Sequence, residues 1–421
     1  MKKFSRRQFN TVAGAAVASL AAPSIASGAL PKVVVIGGGA GGATAARYIA
    51  KDSKGAIDVT LIEASKRYYT CFFSNLYLGG FRNYGSIGHN YYGLAVNHGI
   101  NVIHDWANSV DNSGKKVQLA SGESVTYDRL VLSPGIDLKY DSVPGYSAAD
   151  QSKMPHAWKS GTQVQLLKRQ VNNMKQGGTF VMVPPTNPYR CPPGPYERVS
   201  MIAHTFKKRN PTAKIIVLDP KPKFSKQGLF MDSWEEHYPG MVTWIDAPTH
   251  GGIKNVNAAK MEIETDLDTF KADAASVIPA QKAGSIVTKA GVNSGDWCPI
   301  KPSSMASTAD SNIYVLGDAS VASKMPKSGF SANSQAKVAA NAIRGELTGS
   351  RVFEPRFSNT CWSLVATNDG IKVGANYNAG SEKIEIVDKF ISKKGESADL
   401  RKATYEESLG WYAGITADMF S

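Results

Sequence analysis

Cys191 lies in a proline-rich segment, at a position where a nucleotide-binding unit would have glycines. Thr179 to Val183 are typical of a buried strand, and they run into PPTNPYRCPPGP. A nicotinamide-binding unit would continue this strand into a glycine turn that lets backbone amides approach a pyrophosphate. Pro192, Pro193 and Pro195 are expected to keep the segment out of a helix and to hold the thiol in a rigid frame. The sequence therefore predicts sulfur chemistry here rather than NADH binding.

An earlier strand, Val33 to Ile36, does run into glycines, in GGGAGG. Gly37, Gly39 and Gly42 have the GxGxxG spacing, which permits a tight turn and close approach of a pyrophosphate to the start of a helix. Glu63 ends the following strand, where an acid can bind ribose hydroxyls. The motif predicts a bound dinucleotide but does not separate FAD from NAD.

Two later positions favour FAD. Asp318 follows the strand Ile313 to Leu316 in YVLGDAS, and a late strand ending in Gly-Asp resembles the flavin ribityl contact of flavoproteins with two dinucleotide-binding domains. Gly135, in the SPG after Leu130 to Ser133, sits where that superfamily has its middle fingerprint. The plain alternative for Gly317-Asp318 is a strand-end turn. The fold class predicted is α/β, glutathione-reductase-like, with a small C-terminal closing domain.

Other polar positions have two interpretations each. Cys71, in YYTCFFSN, is either a cofactor link or a small buried hydrophobic residue. Glu197 is either a proton acceptor whose pKa is raised by burial or a helix-start acid that interacts with the dipole. Lys327 and Gly329, in MPKSGF, are predicted to contact the cofactor, although a solvated lysine is the alternative for Lys327. Cys298 is interpreted as a buried spare thiol.

The elements that must position these residues form two interleaved units. Strands are expected at Val59 to Glu63 and Lys214 to Leu218, and helices at Glu197 to Lys208 and Ser331 to Arg344. The sequence predicts three domains. A FAD-binding domain consists of two parts, residues 30–155 and 276–345. Residues 156–275 form an inserted NAD-type domain without the glycine fingerprint, and residues 346–421 form a C-terminal domain that faces the flavin or forms an interface.

Composition narrows the class further. The chain has 421 residues and a formal net charge of +13, with basic and acidic residues intermixed, which disfavours nucleic-acid binding. Residues 1–29 are typical of a twin-arginine export signal, with SRRQF before a mildly apolar stretch and small residues, so a periplasmic location is expected. No later apolar run is long enough to span a membrane. The sequence lacks CxxCH and metal-ligand spacing of its histidines, so we expect neither a c-type haem nor a metal site.

Several long motifs resemble the flavoprotein subunit of flavocytochrome c sulfide dehydrogenase, along essentially the whole chain after the leader. These are GGGAGGATAA, YYTCFFSN, RCPPGPYER, FSKQ, DWCP, GDAS, MPKSGFSANSQAKVAA and NTCWS. The resemblance implies that Cys71 is joined by a thioether to the 8α-methyl of FAD. It also implies that Cys191 and Cys361 form a redox disulfide beside the flavin, although a structural bridge is the alternative. Glu197 is the nearest carboxylate that could accept a proton from sulfide.

The resulting functional hypothesis is a periplasmic FAD enzyme that oxidises sulfide to sulfur-level products and passes electrons to a separate cytochrome c subunit. Three alternatives were kept. A sulfide:quinone oxidoreductase would need a membrane surface, for which Leu409, Tyr412 and Met419 form a candidate apolar stripe. An NADH-dependent disulfide reductase is disfavoured because the second unit lacks GxGxxG. A flavin-storing assembly protein would not need three sulfurs around one ring.

Overall fold

The computed structural model describes residues 29–421. The export signal predicted for residues 1–29 lies outside this part of the chain, except for its last residue.

A five-stranded parallel sheet carries the glycine turn. Its strands are buried on both faces, as expected for a parallel sheet covered by helices. The order across the sheet is Ile313–Val315, Arg129–Leu132, Lys32–Ile36, Asp58–Ile62, Asn101–Ile103. Because the strands are parallel, Gly37, Ser133 and Gly317 all meet at one edge, outside their carboxyl ends.

A second parallel sheet, of four strands, lies in the inserted unit. Its order is Val242–Asp246, Lys214–Asp219, Thr179–Val183, Ala274–Val277. The domain boundary predicted between residues 275 and 276 falls inside the last of these strands. A short run of small residues, AASV, did not distinguish this strand from a linker.

Helices cover both sheets. The predicted helix over Glu197 to Lys208 is Gly194–Arg209, and the one over Ser331 to Arg344 is Gly329–Thr348. The first of these helices begins three residues earlier than predicted, at Gly194, and so includes Pro195. This corrects the expectation that all three prolines exclude a helix, because Pro195 lies in the first turn, where its missing N–H costs nothing. The remaining helices are Gly42–Ser53, Ser74–Leu78, Tyr92–His98, Thr162–Asn173, Gln227–His237, Ala247–His250, Ile286–Lys289 and Ala398–Phe420, with 3-10 turns at Tyr84–Ile87, Tyr140–Ser142, Asp150–Ser152 and Gly317–Ala319.

The C-terminal part is an antiparallel sheet followed by a long helix. The sheet strands are Arg356–Ala366, Asp369–Ala379 and Ile384–Ile391, in that order. Of the proposed stripe on helix Ala398–Phe420, Tyr412 and Met419 are buried and Leu409 is exposed, so most of it belongs to the core.

Shorter strands complete the described fold. They pair as Tyr68–Tyr69 with Gly88–His89; Ala107–Asp111, Lys116–Leu119 and Ser124–Thr126; Ile136–Lys139 with Ala280–Ala283; Ile253–Asn257, Glu262–Thr265 and Thr269–Lys271; and Cys298–Pro299 with Ser320–Val321.

Candidate active site

The glycine turn is built for close backbone packing. Gly37 has a φ of +99°, and a Cβ there would lie 2.3 Å from the carbonyl oxygen of Ser133. A Cβ on Gly42 would lie 1.9 Å from the carbonyl oxygen of Gly37. The helix that starts at Gly42 has no acid in its first turn, so its positive end is free for an anion. Gly39 lines the cleft in front of it.

Glu63 stands beside this turn. One of its carboxylate oxygens accepts a hydrogen bond from the Gly38 amide at 2.8 Å, and the other accepts from the Ser65 amide at 2.9 Å. These bonds hold the carboxylate at the carboxyl end of its strand, where the adenosine ribose of a dinucleotide lies in this type of unit.

The same cleft continues to Gly135 and Asp318. Gly135 has a φ of +68°, which favours glycine at the turn. Asp318 is buried, and one of its oxygens lies 3.7 Å from a guanidinium nitrogen of Arg190. Burial raises the pKa of Asp318, against the lowering effect of Arg190 and Lys327. Its other oxygen, Oδ1, has no hydrogen-bond partner among the described residues.

These features fit a dinucleotide. The cleft has a volume of about 460 Å³, and a side chain at a lining glycine such as Gly37 would collide with the Ser133 carbonyl. Asp318 also lines the cleft, and its buried Oδ1 lacks a partner among the described residues, as expected of a group that a ribityl hydroxyl satisfies. FAD would be held by the glycine turn, Glu63, Gly135 and Asp318.

A smaller cavity of about 80 Å³ adjoins the cleft and contains the three predicted functional cysteines. Cys71 lines both spaces, as do Phe72, Arg190 and Gly329. Cys191 and Cys361 line the smaller cavity, which we call the sulfur cavity. Aromatic rings close it on one side, from Phe330, Trp362 and Trp411.

Cys191 and Cys361 are placed by different elements. Cys191 has a φ of +58°, its amide donates to the Lys327 carbonyl at 2.6 Å, and its carbonyl accepts from the Gly194 amide at 2.8 Å. Cys361 lies on strand Arg356–Ala366, with its sulfur 3.6 Å from the amide nitrogen of Asn359. All four cysteines are free thiols in the structure, so the Cys191–Cys361 bridge stays a prediction.

Glu197 also faces the sulfur cavity, and it lies in the first turn of helix Gly194–Arg209. Its carboxylate accepts hydrogen bonds from the Asn75 side chain at 2.8 Å and from the Leu364 amide at 3.0 Å. Burial raises the pKa of Glu197 despite these bonds. Both sequence interpretations thus apply to one residue, which is a helix-start acid and a buried one.

Three buried cations surround the sulfurs, and the sequence reasoning did not single them out. Arg190 and Arg198 line the cavity, and Lys226 donates to the Cys361 carbonyl at 3.1 Å. Burial lowers the pKa of Arg198 to about 9 and that of Lys226 to about 8. Arg190 and Lys226 stand inside the quoted motifs RCPPGPYER and FSKQ, which was the available signal, although nothing local shows which way their side chains point.

Lys327 lies beside Asp318. Its ammonium donates to the carbonyls of Asp318 and Ser320 at 2.7 and 2.9 Å and lies 3.6 Å from the centre of the Trp297 ring. It lines a cavity that neighbours the dinucleotide cleft. Its charge beside the flavin stays a prediction. Cys298 is fully buried behind Lys327, as expected of a spare thiol.

The second nucleotide-type unit fills its own ligand position. Asp219 ends its strand as Glu63 does in the first unit, but it is fully buried and binds protein groups on both oxygens. The Tyr196 hydroxyl and the Trp244 ring nitrogen lie 2.6 and 3.0 Å from one oxygen, and the Lys221 ammonium lies 2.7 Å from the other. Tyr196 in turn stacks on Phe224, with ring centres 3.7 Å apart. A ribose would have to displace all of these groups.

Residues 29–421 contain no candidate membrane-spanning helix and no candidate metal site. Every helix there is too short or too polar to cross a membrane. No cluster of three or more His, Cys, Asp or Glu side chains in that range could hold a metal ion.

The fold and the cleft are typical of one class of protein, the pyridine nucleotide-disulphide oxidoreductases. Residues 31–178 match the model of that family. Solved structures with the same fold include the sulfide:quinone oxidoreductase of Aquifex aeolicus, with 18% identity, 92% of each chain covered and a TM-score of 0.69. A second is a ferredoxin reductase from Rhodopseudomonas palustris, with 18% identity, 82% of each chain covered and a TM-score of 0.64. A third is an NAD-dependent persulfide reductase from A. fulgidus, with 17% identity, 89% of this chain and 76% of that chain covered, and a TM-score of 0.62. At these identities the similarity establishes the fold alone.

Two further segments of the chain match models of a more specific family. Residues 164–279 match the central part of the sulfide dehydrogenase [flavocytochrome c] flavoprotein chain, and residues 353–420 match the flavin-binding part of flavocytochrome c sulphide dehydrogenase. The chain belongs to the family of flavocytochrome c sulfide dehydrogenase flavoprotein chains. It is a flavin-dependent oxidoreductase, and its cofactor is FAD.

Proposed function

We propose that the protein is a periplasmic sulfide dehydrogenase that oxidises sulfide at a Cys191–Cys361 disulfide and delivers electrons through FAD to a cytochrome c subunit. One observation carries the proposal: both cysteines line a small cavity that joins the dinucleotide cleft at Cys71 and Arg190. Family membership supports the same activity.

The cavity suits a small anion. Its volume of about 80 Å³ is enough for a few water-sized molecules. Five charged groups lie in or near it: the cations Arg190, Arg198 and Lys226, and the acids Glu197 and Asp318. The excess of cations favours the anionic hydrosulfide over a cationic substrate, because the attraction is poorly screened in a buried site.

The proposed sulfur chemistry opens the disulfide, releases one sulfur atom and closes the disulfide again. Hydrosulfide attacks one sulfur of the disulfide, which gives a persulfide on that cysteine and a thiolate on the other. Release of the outer sulfur at the oxidation level of elemental sulfur leaves a thiol on the first cysteine and the thiolate on the second, and their return to the disulfide releases two electrons and one proton. When bound, FAD supplies the acceptor for this electron pair and can return the electrons singly.

Glu197 is the proposed proton acceptor. Its burial in the sulfur cavity raises its pKa toward the range in which a carboxylate can accept a proton from hydrogen sulfide. Hydrogen bonds from Asn75 and Leu364 hold the carboxylate in place. Deprotonation beside the disulfide would generate the attacking hydrosulfide where it reacts.

Sulfide should bleach the flavin of the wild-type protein under anaerobic conditions. Cys191→Ser and Cys361→Ser should each lose this reaction almost completely, while Cys298→Ser, which removes a buried thiol outside the cavity, should keep it. Stopped-flow absorbance measures all four proteins. Full-rate bleaching in either active-site variant would reduce the cysteine pair to a structural role, and equally fast bleaching by NADH would favour a disulfide reductase.

The electron acceptor needs its own test. The sequence holds no CxxCH, so the proposed single-electron exit depends on a separate haem protein. Reduced protein should transfer electrons to a c-type cytochrome faster than to a water-soluble quinone. The opposite order would favour a sulfide:quinone oxidoreductase.

A thioether between Cys71 and FAD is proposed because this thiol lies where the two cavities meet. Acid precipitation should leave the yellow flavin with wild-type polypeptide and with Cys298→Ser, and should release it from Cys71→Ser. Release of all flavin from the wild-type protein would contradict the link without touching the proposed activity.

A further inference from the structure

Lys226 is a buried lysine to which the steps above give no task. Its ammonium donates hydrogen bonds to three neutral oxygens: the Cys361 carbonyl at 3.1 Å, the Ser363 hydroxyl at 2.9 Å and the Ile371 carbonyl at 3.3 Å. Lys226 forms no ion pair with a carboxylate of residues 29–421, although Glu197 is close enough to raise its pKa.

Lys221, five residues earlier, shows what a purely structural buried lysine looks like in this segment. Its ammonium lies 2.7 Å from a carboxylate oxygen of Asp219, so its charge is neutralised. Lys226 has no such neutralisation, and it also has a φ of +60°, which disfavours a side chain other than asparagine or glycine. Burial of an unpaired charge is costly, and a neutral side chain would avoid that cost. Packing alone therefore does not account for a lysine here.

The sulfur of Cys361 can supply negative charge beside Lys226, and its effect on the pKa of Lys226 exceeds that of Glu197. Asn359, Cys361 and Ser363 alternate along strand Arg356–Ala366 and share one face. Lys226 contacts two of them through hydrogen bonds, and Asn359 places its amide nitrogen 3.6 Å from the Cys361 sulfur. Cys361 is thus surrounded by groups that stabilise a thiolate.

Cys191 has less of this support. Burial raises the pKa of its thiol well above the usual range, Cys361, Glu197 and Cys71 raise it further, and Lys226 opposes the rise only as the smallest of these effects. Burial also raises the pKa of the Cys361 thiol, but Asn359 and Lys226 oppose that rise. The charged and titratable groups that act on Lys226 itself are Cys361, Glu197, Cys191 and Arg401. Cys191 is also the more exposed of the two sulfurs, so it is the more accessible to an incoming nucleophile.

We propose, resting on the proposed sulfide oxidation, that Lys226 is a positioning residue that makes Cys361 the leaving sulfur and so directs hydrosulfide to Cys191. The hydrosulfide sulfur forms a bond to the Cys191 sulfur, and the Cys191–Cys361 bond breaks. The electron pair of that bond stays on Cys361 as a thiolate beside the Lys226 ammonium. The persulfide, which keeps the hydrosulfide proton, is then carried by Cys191, and charge is conserved.

The first test uses the wild-type holoenzyme. Oxidised protein is mixed anaerobically with one equivalent of sulfide, quenched within milliseconds with an alkylating agent, and digested for peptide mass analysis. The extra sulfur should be on the Cys191 peptide and simple alkylation on the Cys361 peptide. Extra sulfur on the Cys361 peptide overturns the inference while leaving the proposed function intact. Absence of a Cys191–Cys361 bridge before mixing, or of any reaction with sulfide, overturns the proposed function and this inference with it.

The second test compares Lys226→Met with Lys168→Met. Lys168 is a half-buried lysine that donates to the Leu78 carbonyl at 2.6 Å and does not line the sulfur cavity, so it controls for the loss of a lysine that binds a neutral oxygen. In Lys226→Met, the bridge should open about tenfold more slowly with sulfide or a small thiol. The pH profile for alkylation of reduced Cys361 should also move to higher pH. Lys168→Met should match the wild type in both measurements.

An unchanged profile in folded Lys226→Met, checked by circular dichroism, overturns the role of the ammonium. If that variant does not fold, Ser363→Ala gives the second reading. It removes one acceptor of the ammonium and should shift the Cys361 profile, and no shift would count against the inference.

Discussion

The two strand–loop–helix units of this chain have the same topology and opposite chemistry at the loop. In the first, the residue with positive φ after the strand is Gly37, and helix Gly42–Ser53 starts without an acid. In the second, the loop residue with positive φ is Cys191, and helix Gly194–Arg209 starts with Glu197 in its first turn. The first helix start can accept a phosphate, whereas the second presents a carboxylate to the same position.

The acids that end the second strand of each unit, Glu63 and Asp219, also differ in whether a ligand can reach them. Glu63 binds two backbone amides at the edge of an open cleft. Asp219 is enclosed by Tyr196, Trp244 and Lys221, so the protein itself occupies the nucleotide position. One unit therefore keeps a ligand site, and in the other the loop places Cys191 in the lining of the sulfur cavity. The predictions below test this contrast, in order of decreasing effect.

Gly42→Ala should abolish flavin incorporation and all activity. A Cβ at this position would lie 1.9 Å from the Gly37 carbonyl oxygen, which forces the turn out of shape. Gly414→Ala is the matched control, because a Cβ there meets nothing within 4 Å on an exposed helix face. Flavin content per polypeptide, from the absorbance spectrum, distinguishes the two. A Gly42→Ala protein with full flavin content would show that the first turn does not bind the dinucleotide through close backbone approach.

Glu197→Gln should slow flavin bleaching by sulfide about a hundredfold at mildly acidic pH, since positioned proton acceptors typically contribute at least this factor. Burial raises the pKa of Glu197, so the wild-type rate should rise as pH increases through that raised value and the acid becomes an acceptor. The gap between the proteins should narrow at alkaline pH, where sulfide is already hydrosulfide. Stopped-flow rates across pH measure this. A gap that is constant with pH would assign Glu197 to structure alone.

Much of this contrast was readable in the sequence because its signals are local. The glycine spacing after Ile36 and its absence after Val183 predicted one dinucleotide site, and the fold class and family were confirmed. The cation environment was not readable, because Lys226 reaches Cys361 from a segment 135 residues away. The partners of Lys327 were not readable for the same physical reason: they are carbonyls of a neighbouring turn, which no motif spacing reveals. The assigned roles of the site residues remain predictions.

The smallest effect concerns the backbone of the second loop. Because Cys191 occupies a left-handed conformation, Cys191→Gly should be more stable to urea than Cys191→Ala by about 0.5 kcal/mol: relief of the Cβ penalty slightly exceeds the entropy cost of glycine. Both variants lack the sulfur, so the difference isolates the backbone. At Cys298, which lies in a short strand, the order should reverse and alanine should be the more stable by a similar amount. If alanine is the more stable at both positions, the second loop does not hold its cysteine in a glycine-like conformation, and the correspondence between Gly37 and Cys191 is lost.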